Sequence, residues 1–211
     1  MKQHLFLALL VVCLSVAVFA QDDANLLTGR DADLFKQTSA SETCRLYASY
    51  VVKTAPDPNG GETVKVFGIL PGAFREEGCK TKTDPLVSLS GTYSGKNKGI
   101  NEDITSNFVG LAGKFLFIEK LVEPFVGAIE IFDLKTGKSV FKDEIYENIR
   151  LSQKRFLDYE KWSKKDGSLK NCPQAAKWKK SGLGVGWVQK HRLDLQTFKL
   201  TNGALRCEAQ Q

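Results

Sequence analysis

Residues 126–146 read VGAIEIFDLKTGKSVFKDEIY. The stretch predicts a strand over 126–134, a tight turn at LKTGK and a second strand over 139–146. Gly137 falls where such a turn needs a positive φ. A hairpin here sets the expectation for the chain around it. Upstream, CRLYASYVV from Cys44 is rich in β-branched and aromatic residues, with Leu46, Ala48 and Tyr50 alternating with Arg45 and Ser49. TAPDPNGGET is a breaker-rich loop, and TVKVFGIL returns as a strand, so 44–70 reads as a hairpin. PGAFREEGC, 71–79, suits a single helical turn ended by Gly78. Further strands are predicted over 86–94 and 107–120.

Downstream the period changes. In 147–166, Ile149, Phe156, Tyr159 and Trp162 fall near one stripe of a helix. Arg150, Lys154, Lys161, Lys164 and Lys165 fill its other face, and Asp166-Gly167 closes it. One longer helix near 148–166 is therefore expected. A short helix near 173–180 follows, with Pro173 in its first turn and Gly182 after its end. The fold class is mainly β: a β-sandwich, or a β-meander or partly open barrel, with these two helices.

FDLKTGKSVF at 132–141 and LDLQTFKLTNGAL at 193–205 form a faint repeat, each carrying Asp-Leu-x-Thr after a strand. The pattern resembles the outer part of a β-propeller blade. The offset of 61 residues between Asp133 and Asp194 exceeds a usual blade of roughly 40–50 residues, so a sandwich or open barrel suits the length better.

The first twenty residues have the form of an export signal. Lys2 gives a positive start, Leu5 to Phe19 is apolar, and Val18 and Ala20 precede Gln21. Residues 21–42 are polar and read as a loose arm with one helical turn over 31–37. Residues 43–211 form a single β-rich domain. No long apolar run remains after the signal, so no transmembrane segment is expected in the mature chain.

Cys13 leaves with the signal, and Cys44, Cys79, Cys172 and Cys207 remain. An even count in an exported chain reads as two disulfides. Three pairings are open. Cys44–Cys79 and Cys172–Cys207 are favoured because each closes the shorter loop. The absence of CxxC spacing argues against a metal site, and no cofactor is implied.

Charge is divided along the chain. Residues 21–149 carry 15 Lys and Arg against 19 Asp and Glu, whereas 150–211 carry 14 against 5. The basic C-terminal third faces either an external anion or the acidic part of its own chain. Within it, CPQAAKWKKSGLGVGWVQKHRLDL at 172–195 invites a nucleotide-site reading. Gly182, Gly184 and Gly186 have the wrong spacing for a dinucleotide fingerprint and enter a strand rather than a helix, so nucleotide is excluded as a partner. On a strand, Leu183, Val185, Trp187, His191, Leu193 and Leu195 share one face. The glycines share the other, where a helix or a neighbour can lie close.

A lone histidine on an apolar face reads as a core or rim residue rather than a catalyst. No G-x-S-x-G motif or calcium loop is present. The loop acids Glu76-Glu77, Glu102-Asp103, Glu119 and Glu123 have no distinctive spacing. No catalytic residue is assigned, and enzymatic activity is not favoured. The leading expectation is an exported, non-enzymatic binding module, secreted or periplasmic. Its surface of Lys161, Lys164, Lys165, Lys177, Trp178, Lys179, Lys180, Lys190 and Arg192 would engage an anionic glycan, a lipid head group or an acidic protein. The tryptophans of this region, Trp162, Trp178 and Trp187, compete for core roles. The alternatives are a secreted glycan hydrolase using two carboxylates and a barrel-like carrier of a small apolar ligand.

Overall fold

The computed structural model describes residues 34–37, 39, 41–69, 79–80, 83–97, 100–122, 126–153, 155–165 and 167–210. Almost every described element is a strand, and every strand pairs antiparallel with its sequence neighbour. The first sheet holds β1 (Leu34–Gln37), β2 (Thr43–Leu46), β3 (Tyr50–Pro56), β4 (Glu62–Gly68) and β5 (Val87–Leu89). The second holds β6 (Thr92–Asn97), β7 (Ile100–Ala112), β8 (Phe115–Val122), β9 (Val126–Asp133) and β10 (Lys138–Ile145). The third holds β11 (Glu147–Ser152), β12 (Phe156–Trp162), β13 (Gly184–Asp194) and β14 (Lys199–Gln210). Among the described residues one α-helix, α1 (Ala175–Lys180), follows a 3-10 turn at Leu169–Asn171 and precedes β13.

Two short crossovers stack the sheets. Ser90 and Gly91 carry the chain from the first sheet to the second, and Tyr146 carries it from the second to the third. At the first crossover the Ser106 N–H donates to the Gly91 carbonyl at 2.6 Å. A Cβ on Gly91 would lie 2.3 Å from the Asp57 Cβ, so only glycine lets the hairpin loop sit there. The middle sheet is therefore covered on both faces. Leu116, Ile118 and Phe132 pack with Val52, Val64 and Val66 of the first sheet. Phe117, Ile129 and Ile131 pack with Leu157, Tyr159 and Leu193 of the third. Successive residues of β8 alternate between two cores, as the period of two requires.

The predicted hairpin over 126–146 is present, and Gly137 adopts φ +68°. The Asp-Leu-x-Thr repeat is structural as well. Asp133 accepts from the Lys135 N–H and from Lys114, and Asp194 accepts from the Gln196 N–H and from Arg155. Leu134 donates to the Lys114 carbonyl and Leu195 to the Arg155 carbonyl. These hydrogen bonds, that from Lys114 above all at Asp133 and that from Arg155 at Asp194, hold both carboxyls below the usual range. Phe198, φ +54°, occupies the left-handed position that Gly137 fills in the other copy. Its ring meets Phe115 edge-on at 5.6 Å, which offsets the backbone cost.

Several expectations are corrected. The longer helix near 148–166 is absent, and the stretch is the β11–β12 hairpin. Leu157 and Tyr159 alternate with Asp158 and Glu160, and pairing with β13 outweighs the helix-favouring composition. Within the turn expected at 31–37, the described residues Leu34–Gln37 form β1, which pairs with β2, and residues 31–33 lie outside the described residues. CRLYASYVV turns at 47–49, where the Tyr47 N–H donates to the Tyr50 carbonyl. The single strand expected over 86–94 divides between two sheets, and that over 107–120 turns at Gly113, φ +58°. Residues 1–20 and 71–78 lie outside the described residues. The short helix is present over 175–180. Gly182 ends it at φ +76°, with the Leu183 N–H on the Trp178 carbonyl and the Gly182 N–H on the Lys179 carbonyl.

Both disulfides form as expected, Cys44–Cys79 and Cys172–Cys207, with Cα atoms 5.9 and 5.7 Å apart. Among the described residues no helix is long and apolar enough to cross a membrane.

Candidate functional site

The third sheet collects the basic residues, and its outer face consumes part of them. Arg192 grips Asp158 through two hydrogen bonds of 2.6 and 3.0 Å. Burial opposes ionisation of Asp158, but the bonds from Arg192 and Ser152 hold its carboxyl below the usual range. Arg206 donates to the buried Glu160 at 2.5 and 3.2 Å, and Lys190 stands 3.9 Å from the same carboxylate. Lys190 and Arg192 thus face acids of their own sheet.

The remaining candidates gather at the other end of β13. Lys164 and Lys165 follow β12 and are exposed. The Ser163 N–H donates to the Trp187 carbonyl, which anchors this loop. α1 packs there too, through Ala175 and Trp178 against Trp187 and the Cys172–Cys207 bridge. Lys177, Lys179 and Lys180 project from α1 and are exposed. None of these five lysines forms an ion pair among the described residues. Trp178 is half-buried and Trp187 is buried, so both serve packing first. Trp162 remains 37% exposed. Its ring lies over Gly186, where a Cβ would come within 2.3 Å of it, while Gly184 lies beside Gln210 and a Cβ on Gly182 would meet nothing.

A cleft of about 540 Å³ opens beside this loop, between the edge strand β10 and the third sheet. Lys142, Glu144, Lys164, Lys165 and Asn202 form its exposed rim. Asp143, Lys161 and Gln189 lie deeper, and His191 is buried. A second cleft of about 1000 Å³, lined by Arg150, Asp158, Glu160 and Arg192, shares His191 and Asn202 with it. Opposite Lys190 the β13–β14 register slips, placing a bulge beside Asn202. Such irregularities re-aim side chains.

At the base, Lys161 donates to both oxygens of Asp143 at 2.7 and 2.9 Å. The Tyr159 hydroxyl donates to Asp143 at 2.5 Å. Burial, reinforced by Asp143, raises the Tyr159 pKa far above the ordinary phenol value, so the hydroxyl stays protonated. His191 stacks on Tyr159 with ring centroids 5.4 Å apart. Burial, and after it Lys161, lowers the His191 pKa, against weaker opposing effects of Asp143 and Asn202. The ring is therefore neutral at pH 7. Asn202, opposite His191 in register, stands close enough to act on the ring as a hydrogen-bond neighbour, although neither ring nitrogen reaches full hydrogen-bond geometry.

No family model, curated protein or solved structure matches this chain. The site must be read from its own chemistry. Among the described residues no three His, Cys, Asp or Glu side chains converge as metal ligands. Asp143, Asp158 and Glu160 are each paired with a cation. What the site offers is hydrogen-bonding capacity beneath a lysine rim. Asp143, Tyr159, Gln189 and Asn202 escaped the sequence reading. They meet through sheet packing and strand pairing across distant parts of the chain, and Tyr159 had been assigned to a helix.

The neutral, buried His191 sets a pH dependence. Its folded pKa lies below the unfolded value, so the unfolded chain gains a proton first as pH falls. Stability present above about pH 6.5 is lost as pH drops through the folded pKa. His191→Phe keeps the ring stack and is expected to flatten the decline in urea midpoint between pH 7.5 and 5. Parallel declines in the two proteins would show that the ring titrates without penalty.

Proposed function

We propose that this chain is an exported, non-enzymatic module that binds an anionic partner through the end of the third sheet formed by α1 and the loop after β12. The observation that carries the reading is the division of its basic residues. Lys161, Lys190 and Arg192 are engaged by Asp143, Glu160 and Asp158, while Lys164, Lys165, Lys177, Lys179 and Lys180 are exposed without ion pairs among the described residues. Unpaired lysines on one end of a sheet attract carboxylate, sulfate or phosphate over about 8–10 Å at physiological salt. The two disulfides suit an oxidising destination, secreted or periplasmic. A glycan hydrolase is less well supported because the acids of the base are paired. A carrier of apolar ligands is less well supported because charged and amide side chains stand in both clefts.

Immobilised heparin at physiological salt tests the reading. The wild-type chain should be retained. Reversing charge at Lys164, Lys165, Lys177, Lys179 and Lys180 to Glu should abolish retention, whereas Lys190→Ala should leave it nearly unchanged. Passage of the wild-type chain, or retention indifferent to the five reversals, rejects the proposal.

A further inference from the structure

Three features of the cleft beneath Lys164 and Lys165 bear on what would enter it. The first is His191, 6% exposed, whose ring nitrogens make no hydrogen bond of full geometry, with Asn202 beside the ring and close enough to interact with it. A buried polar group left unsatisfied costs about 1–3 kcal/mol, and such groups in native proteins usually meet water or a ligand. A neutral imidazole presents one donor and one acceptor.

The second is the pair of amides. Gln189 uses its Nε2 on the Gly203 carbonyl at 3.3 Å, which leaves its side-chain oxygen as an acceptor. Asn202, exposed at the bulge, offers a donor and an acceptor. From Asn202 at the rim to His191 at depth, the cleft thus asks its occupant for donors and acceptors together. Sulfate and fully ionised phosphate supply acceptors alone. Neighbouring hydroxyls supply both.

The third is the wall and rim. Trp162 closes one end of the cleft, with its ring turned to the Gly186 face and packed on Tyr146. Lys142, Lys164 and Lys165 outnumber Glu144 around the mouth. The volume lies within the roughly 300–1,000 Å³ of small-ligand sites.

We infer that the cleft takes an acidic saccharide, its hydroxyls on Gln189, His191 and Asn202 and its carboxylate against Lys164 and Lys165. This rests on the anionic-partner reading and narrows it to hydroxyl-bearing anions.

Titration calorimetry of the full chain at pH 7.5 separates the two. The probes are oligogalacturonate, hyaluronan oligosaccharide, a neutral galactose oligomer and tripolyphosphate. At least one acidic saccharide should bind, and the neutral oligomer at least tenfold more weakly. Gln189→Ala and Asn202→Ala should each weaken the acidic saccharide about fivefold to tenfold and leave tripolyphosphate unaffected. Lys164→Ala/Lys165→Ala should weaken both. Binding of tripolyphosphate but of neither acidic saccharide, or saccharide binding indifferent to Gln189 and Asn202, overturns this inference while leaving the anionic reading intact. Equal binding of neutral and acidic oligomers also overturns it. Binding of no anion removes both.

Discussion

Lys120→Met is expected to destabilise the fold by about 3–5 kcal/mol, the cost of stripping a buried charge of its partner. Lys120 on β8 and Glu130 on β9 form an ion pair whose side chains are only 10% and 11% exposed. Both have the parity of Ile118 and Phe132, so they sit on the face that meets the first sheet. The Glu130 Oε2 has no hydrogen-bond partner beyond the ion pair. Removing the ammonium leaves that carboxylate desolvated and uncompensated. The double variant Lys120→Met/Glu130→Leu should recover most of the loss, because two apolar side chains of similar volume replace a pair that gains little over them. Urea denaturation of the four proteins measures the coupling. Additive losses would show that the two charges act independently.

Removal of the Cys172–Cys207 bridge by paired serine substitution should cost about 4 kcal/mol on the chain-entropy account. The closed segment separates its cysteines by 35 residues. At this chain size the loss corresponds to a fall of roughly 8–16 °C in Tm. The Cys44–Cys79 bridge spans the same separation, so the entropic account expects a similar loss there. The consequences should differ in place. Cys172 and Cys207 pack with Ala175, Trp178 and Trp187. Opening that bridge should loosen α1, which carries Lys177, Lys179 and Lys180, and weaken heparin retention as well as stability. Opening Cys44–Cys79, which packs with Leu46, Val51 and Phe67 in the first sheet, should leave retention intact in the folded fraction. Thermal melts with parallel chromatography separate the two cases. Equal loss of retention would place α1 outside the binding surface.

Features governed by neighbouring residues were legible in the sequence. Gly137 and Gly182 adopt the positive φ their positions demand. The apolar parity of Trp187, His191 and Leu193 holds in β13, and Leu195 just beyond it is buried as well. The short-loop cysteine pairing also holds. The largest error concerned 147–166, where Leu, Glu, Lys and Arg favour helix locally. Tyr159 pairs with His191, and Asp158 and Glu160 find Arg192 and Arg206 across the sheet. Those contacts span more than thirty residues, and no local propensity reports them.

The same distinction runs through the site. Composition and spacing alone established a β-rich chain, two disulfides, a basic C-terminal third and the absence of nucleotide fingerprints. Each depends on residue counts or on contacts within a few positions. Which lysines keep their charge free could be known only after folding. Asp143, on the edge of the second sheet, meets Lys161 and Tyr159 of the third because the crossover at Tyr146 lays one sheet upon the other. Pairing of charges is a matter of distance in space, and the stacking of sheets sets that distance.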